Sequence, residues 1–223
     1  MADRAEFLES IRHRTQAGRY KPTRSPDIAW TPKGEPRESP PIEDLPVRFL
    51  EELEALGGYG KRVGNLEEAG DYVLSLAEER DAKLLVRWDV EELEALSVDG
   101  PLTEAGVEVA VWRDLTDFRK VAGRADIGLS TAEWAIAETG SLILTGGPGR
   151  GRTVTLLPPT YVAVVVANRV LRTVSEAIEK YAEPEALPAN VCFHTGPSRS
   201  GDIEMSMVTG MHGPGDVHVI LVG

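Results

Sequence analysis

The chain has 223 residues, 42% of them apolar and 27% charged, with a net charge of −12. That length and apolar share suit one sizeable α/β domain with an arm, and the acidic balance argues against nucleic acid or an anionic membrane surface as partner. One cysteine, Cys192, excludes an internal disulfide and cannot by itself hold an iron–sulfur cluster. Residues 3–17 pattern as a helix with Phe7, Leu8 and Ile11 on one side. Arg4, Arg12, Arg14, Arg19, Lys21 and Arg24 make this opening basic against an acidic body, an arm able to fold back on its own domain or dock a partner. It has no apolar h-region, and no stretch of the chain approaches the ~18–20 apolar residues of a membrane span. A cytoplasmic chain is expected. Pro22, Pro26, Pro32, Pro36, Pro40, Pro41 and Pro46 then predict an extended connector anchored by Trp30. Residues 1–46 thus read as helix and arm, and 47–223 as the folded domain.

Within the domain, helices and strands alternate. Residues 47–56 read as a helix ended by Gly57-Gly58, 59–63 as a strand, 66–79 as a helix, 83–87 as a strand and 90–96 as a helix. Residues 107–112 read as a strand and 115–123 as a helix. Ser130 or Thr131, with Glu133 placed for the reciprocal bond, predicts a capped helix through Ala137. Further strands are expected at 141–145, 153–157, 161–167, 191–194 and 217–222, with a late helix at 173–181. Continuous apolar strands need cover on both faces, which predicts a three-layer α/β/α sandwich with a largely parallel sheet. Ligands of such sheets gather at the carboxyl ends of the strands, and the loop after residue 194 is expected there.

That loop is dense in chemistry. Gly196-Pro197-Ser198-Arg199-Ser200-Gly201-Asp202-Ile203-Glu204 offers close backbone approach, two hydroxyls and a guanidinium, a set that suits a carboxylate or phosphate. Gly210-Met211-His212-Gly213-Pro214 adds His212 as hydrogen-bond donor or proton carrier. Ala137-Glu138-Thr139-Gly140-Ser141 joins a predicted helix to a strand, with Glu138 either a solvated acid or a general base at the cleft. Gly146-Gly147-Pro148-Gly149-Arg150-Gly151-Arg152 resembles a phosphate loop in composition but lacks the lysine and the following helix of a Walker motif. It reads as a hairpin turn from which Arg150 and Arg152 lean over an anion. Tyr161 either packs or carries its hydroxyl into the site, and Cys192 reads as a buried, inert thiol. Cys192, His194 and His212 match no zinc spacing, so no metal is expected.

In this order, Ala137-Glu138-Thr139-Gly140-Ser141, Leu156-Leu157-Pro158-Pro159, the Gly196 run and Gly210-Met211-His212-Gly213-Pro214 resemble the LUD domain, in particular the lactate-utilisation LutC/YkgG family (DUF162). One departure is Tyr161, where the family usually has histidine. The resemblance covers residues 47–223 and implies a NagB/RpiA/CoA-transferase-like fold. It implies a non-cluster subunit beside iron–sulfur partners that oxidise L-lactate to pyruvate, with no cofactor bound by this chain. In that picture Glu138, His212 and Asp202 orient ligand or exchange a proton. Gly196, Ser198, Arg199, Ser200, Thr139 and Gly140 hold a small anionic metabolite, with Arg199 on its carboxylate. The competing expectation is a stand-alone isomerase, CoA transferase or folate cyclo-ligase of the same superfamily with Glu138 at its centre.

Overall fold

Local chemistry starts each early element of this computed structural model, which describes Glu9 and residues 44–114, 117–181, 188–201 and 207–223. Asp44 accepts from the Val47 amide at 3.1 Å and Pro46 occupies the first turn, opening helix α1, Leu45–Ala55, which buries Phe49 and Leu53. Strand β1 is Tyr59–Val63. Asn65 accepts from the Glu68 amide at 2.9 Å while the Glu68 carboxylate accepts from the Gly64 amide at 2.9 Å, and this reciprocal cap opens α2, Leu66–Glu79. There follow β2 (Leu84–Arg87), the short helices α3 (Glu91–Glu94) and α4 (Asp99–Glu104), β3 (Glu108–Val111) and α5 (Phe118–Ala122). Next are β4 (Ile127–Thr131), β5 (Trp134–Ile136), β6 (Ser141–Gly146), α6 (Arg152–Leu156) and β7 (Thr160–Val166). The chain finishes with β8 (Val170–Leu171), α7 (Val174–Glu179), β9 (Asn190–Thr195), β10 (Arg199–Gly201), β11 (Met207–Thr209) and β12 (Asp216–Val222).

Six strands form a wholly parallel sheet in the order β1-β12-β7-β4-β2-β3. Its central strands are buried almost end to end, as cover by helices on both faces requires. This is the three-layer α/β/α arrangement. A second, mixed sheet runs β8-β5-β6-β9, and β10 pairs with β11 as a short ribbon. Pro41–Gly223 is a compact unit in itself. The predicted helix at 3–17 and the proline connector up to residue 43 lie outside the described residues, apart from Glu9.

Two local expectations are overturned, and one further element has no counterpart in the sequence reading. Residues 130–137 are not a helix: Ser130 and Thr131 finish the buried strand β4, and the Glu133 carboxylate accepts from the Thr145 hydroxyl at 2.7 Å instead of capping. The strand expected at 153–157 is instead helix α6, Arg152–Leu156, because Val154 and Thr155 bury against the sheet and packing overrides the strand preference of Thr-Val-Thr. The glycine-rich run is therefore followed by a helix after all. Helix α4 was hidden by Gly100-Pro101, although a proline in the first turn forfeits no hydrogen bond.

Candidate functional site

All six parallel strands point one way, so the sheet has one amino end and one carboxyl end. At the carboxyl end lies a cavity of about 590 Å³. Trp88, just past β2, contributes to its lining with Thr131 at the end of β4, residues 164–166 at the end of β7, and Val222 at the end of β12. The mixed sheet supplies the facing polar wall. There the Arg150 guanidinium donates to Thr145 Oγ1 at 2.9 Å, and the Thr145 hydroxyl donates to Glu133 Oε2 at 2.7 Å. Arg150 also lies 6.0 Å from the Trp88 ring centroid, and the Trp88 indole N–H is tied to the Gly151 carbonyl at 2.9 Å. Arg169, on the same cavity, lies 5.8 Å from the Trp134 ring centroid. Among the described residues neither Arg150 nor Arg169 makes an ion pair. Burial, and next the Glu133 carboxylate, push the nearby Tyr181 hydroxyl up to about 12, so it stays protonated.

Trp88, Thr145 and Arg150 also line a smaller cavity of about 140 Å³ that Arg152 and Cys192 share. Burial raises the Cys192 thiol while Arg152 opposes the shift, which leaves the sulfur a poor nucleophile at neutral pH. Among the described residues no group of three or more His, Cys, Asp or Glu is placed to hold a metal ion.

The residues singled out in the sequence lie elsewhere. Gly196 follows β9, a strand of the mixed sheet, and not a strand of the parallel one. Its loop is therefore at the amino end of the parallel sheet, contrary to expectation: the Ser198 amide donates to the Pro214 carbonyl at 2.9 Å, two residues before β12 begins. The two glycine-rich motifs do meet, since the Gly210 amide donates to the Ser198 carbonyl at 3.0 Å and the His212 amide to Ser198 Oγ at 3.4 Å. His212 is exposed, and Ser200 pairs with Val208 in the β10–β11 ribbon. The Arg199 guanidinium donates to the Leu56 carbonyl at the end of α1. Gly196, at φ +64°, comes so close to α1 that a Cβ would lie 2.9 Å from Leu56 Cβ. Gly140, at φ +60°, turns the β5–β6 hairpin against the same helix, where a Cβ would lie 2.6 Å from the Leu53 nitrogen. A hydroxyl chain runs from Thr139 to Ser141 and on to Thr195, 2.8 Å at each step. Glu138 is exposed and accepts from the Val174 amide at 3.3 Å, capping α7. Asp202 lies outside the described residues.

Tyr161 packs. It is fully buried, its hydroxyl shares a 2.8 Å hydrogen bond with Ser130, and its ring centroid is 4.9 Å from that of His194. Burial raises its hydroxyl and lowers His194 to about 4. The sequence reading does not include Trp88, Thr145 or Arg169 among its site residues, and it gives Glu133 only a capping role. Trp88 was the most findable, since it directly follows a predicted strand and the carboxyl end is where such a sheet binds.

The LUD domain model matches residues 47–222. The chain belongs to the LUD domain family. Its relatives include "Lactate utilization protein C" of Halalkalibacterium halodurans, 32% identical over 95% of this chain and 94% of that one. The "Lactate utilization protein C" of Shouchella clausii is 30% identical over the same shares. In three dimensions the chain is similar to a crystal structure of a DUF162 family protein from Deinococcus radiodurans, with a TM-score of 0.57 and 23% identity over 80% of this chain and 96% of that one. That likeness supports the fold.

Proposed function

We propose that this LUD domain protein serves lactate utilisation as a subunit without clusters of its own, beside iron–sulfur partners that oxidise L-lactate to pyruvate, and that its carboxyl-end cavity binds the small carboxylate. The observation that carries the binding claim is the Arg150–Thr145–Glu133 line, in which a guanidinium with no ion pair among the described residues faces a cavity. Arg150 there suits a carboxylate, and Glu133 suits the 2-hydroxyl as acceptor. The names of the full-length relatives support the lactate role. A single half-buried thiol does not fit a cluster that needs four thiolates, so electron-carrying centres belong to other chains. A chain with one cysteine and no long apolar helix among its described residues suits the cytoplasm.

The test is turnover of L-lactate with an artificial electron acceptor, by the purified chain alone and after adding iron–sulfur partner proteins. Activity only with partners, together with calorimetric binding of L-lactate by this chain, is the expected result. Turnover by the chain alone, lost in Glu133→Gln, would replace this reading with a stand-alone enzyme.

A further inference from the structure

We infer that the carboxyl-end cavity, besides a small carboxylate at Arg150, also accommodates a larger organic monoanion with a broad apolar body. The inference shares its cavity with the reading above but not its ligand, so the two can fail separately. Size is the first argument. At ~30 Å³ per water molecule, the cavity of about 590 Å³ has room for a score of waters, and lactate would leave most of it unfilled. Cavities of that volume suit ligands of drug size.

The wall chemistry is the second argument. Opposite the Arg150–Thr145–Glu133 line, the lining from Leu66, Ala95, Val164 and Val222 is apolar. Val166 stands on it with 45% of its surface exposed, although an apolar side chain at a strand end gains by being covered. Trp88 adds an aromatic ring beneath the Arg150 guanidinium. One pole is thus cationic, and the apolar stretch of the lining asks for an apolar, preferably planar, body. The third argument limits the charge. Glu91 and Glu92, both exposed on α3, and Glu133 also line the cavity, so a polyanion such as a nucleoside triphosphate would be repelled. Against three glutamates and two arginines, one carboxylate or sulfonate paired directly with Arg150, with Arg169 as a second cation nearby, is the most negative charge this lining takes.

Anilinonaphthalenesulfonate is a monosulfonate with a planar naphthalene body and an attached phenyl ring, and its fluorescence rises on transfer to an apolar site. Titrated into the full chain at neutral pH, it is expected to bind saturably at one site. Arg150→Ala should weaken binding about tenfold, as expected for loss of one charge-assisted contact. Arg150→Lys should recover part of the loss, and Val166→Trp, which fills the rim, should weaken binding without touching any charge. Lys61→Ala, on the edge strand β1, should leave it unchanged. Circular dichroism of each variant confirms the native fold. Binding that does not saturate, or that survives both Arg150→Ala and Val166→Trp at wild-type affinity, overturns the inference. If L-lactate binds by calorimetry and the sulfonate does not bind, this inference fails and the lactate reading stands. If the sulfonate binds at this site and lactate neither binds nor displaces it, the lactate reading fails and this one stands.

Discussion

At the amino end of the parallel sheet, the Arg199 guanidinium donates to a main-chain carbonyl of α1, and Gly140 and Gly196 press against the same helix. At the carboxyl end, Arg150 donates to a neutral hydroxyl and faces open space. Strand β12 has seven residues, which places the two ends roughly 20 Å apart at ~3.3 Å per residue. Glycine, arginine and hydroxyl residues are gathered at both, and their uses differ. Where backbone must touch backbone, glycine is needed because nothing larger fits, and an arginine beside it satisfies a helix's last carbonyls. Where a guanidinium donates only to a neutral hydroxyl and lines a cavity, the same residue type is available to a ligand. The density of such residues in sequence does not separate the two cases; what the guanidinium already touches does.

The comparison breaks first at Gly140. If the amino end is a packing junction, Gly140→Ala combines a left-handed backbone with a Cβ placed 2.6 Å from the Leu53 nitrogen. The expected loss is about 3 kcal/mol or more, read from the urea midpoint. A loss below about 1 kcal/mol would mean that the hairpin tip is free to move, as a ligand loop would be.

Acid should loosen the same end. His194 sits on β9, the strand that leads into Gly196, and burial holds it at about 4 against an ordinary 6.5. Among the described residues its Nδ1 has no hydrogen-bond partner. The unfolded chain takes up the proton first, so this stabilisation is complete above pH 6.5 and is lost as pH falls toward 4. Between pH 7 and pH 5 it amounts to about 2 kcal/mol. His218, also lowered to about 4, shifts stability the same way. His194→Leu should therefore remove roughly half of the acid-induced loss, measured as urea midpoints at the two pH values. An unchanged pH dependence would show that His194 already finds a proton acceptor.

A pair of arginine variants sharpens the contrast. Arg150→Ala should weaken L-lactate binding about tenfold with little change in stability, because one charge-assisted contact is lost. Arg199→Ala should leave binding intact and lower stability by about 1 kcal/mol, as the C-terminal carbonyl of α1 loses its donor. Calorimetry and urea denaturation together read both, and the reverse pattern would exchange the roles of the two ends. The smallest effect is at Glu138: Glu138→Gln weakens an exposed cap on α7 and should cost about 0.5 kcal/mol, visible in the thermal midpoint, with lactate affinity unaffected.

Much of the parallel sheet was legible because its strands are short apolar runs between capped helices. Residues 59–63 and 66–79 match the structure end for end, since Asn65 and Glu68 carry their own cap. The mixed sheet was not legible. Trp134–Ile136 is three residues long, and its pairing with Ser141–Ile143 is fixed by the turn at Gly140, which in sequence reads equally well as the end of a helix. That error moved the site. Reading residues 130–137 as helix puts β9 in the parallel sheet and Gly196 at its carboxyl end. The motifs at 196–200 and 210–214 do adjoin through Ser198, and Arg150 does line a cavity. Glu133 and Thr145 could not be paired from sequence, because twelve residues of hairpin separate them and only the β5–β6 fold brings their side chains together.

The most direct measurement is a crystal structure of the chain grown with L-lactate. Density for the carboxylate beside the Arg150 guanidinium, with the 2-hydroxyl toward Glu133, is the predicted result. Lactate seated instead at the Ser198–His212 turn, with Arg199 drawn away from the Leu56 carbonyl, would contradict it.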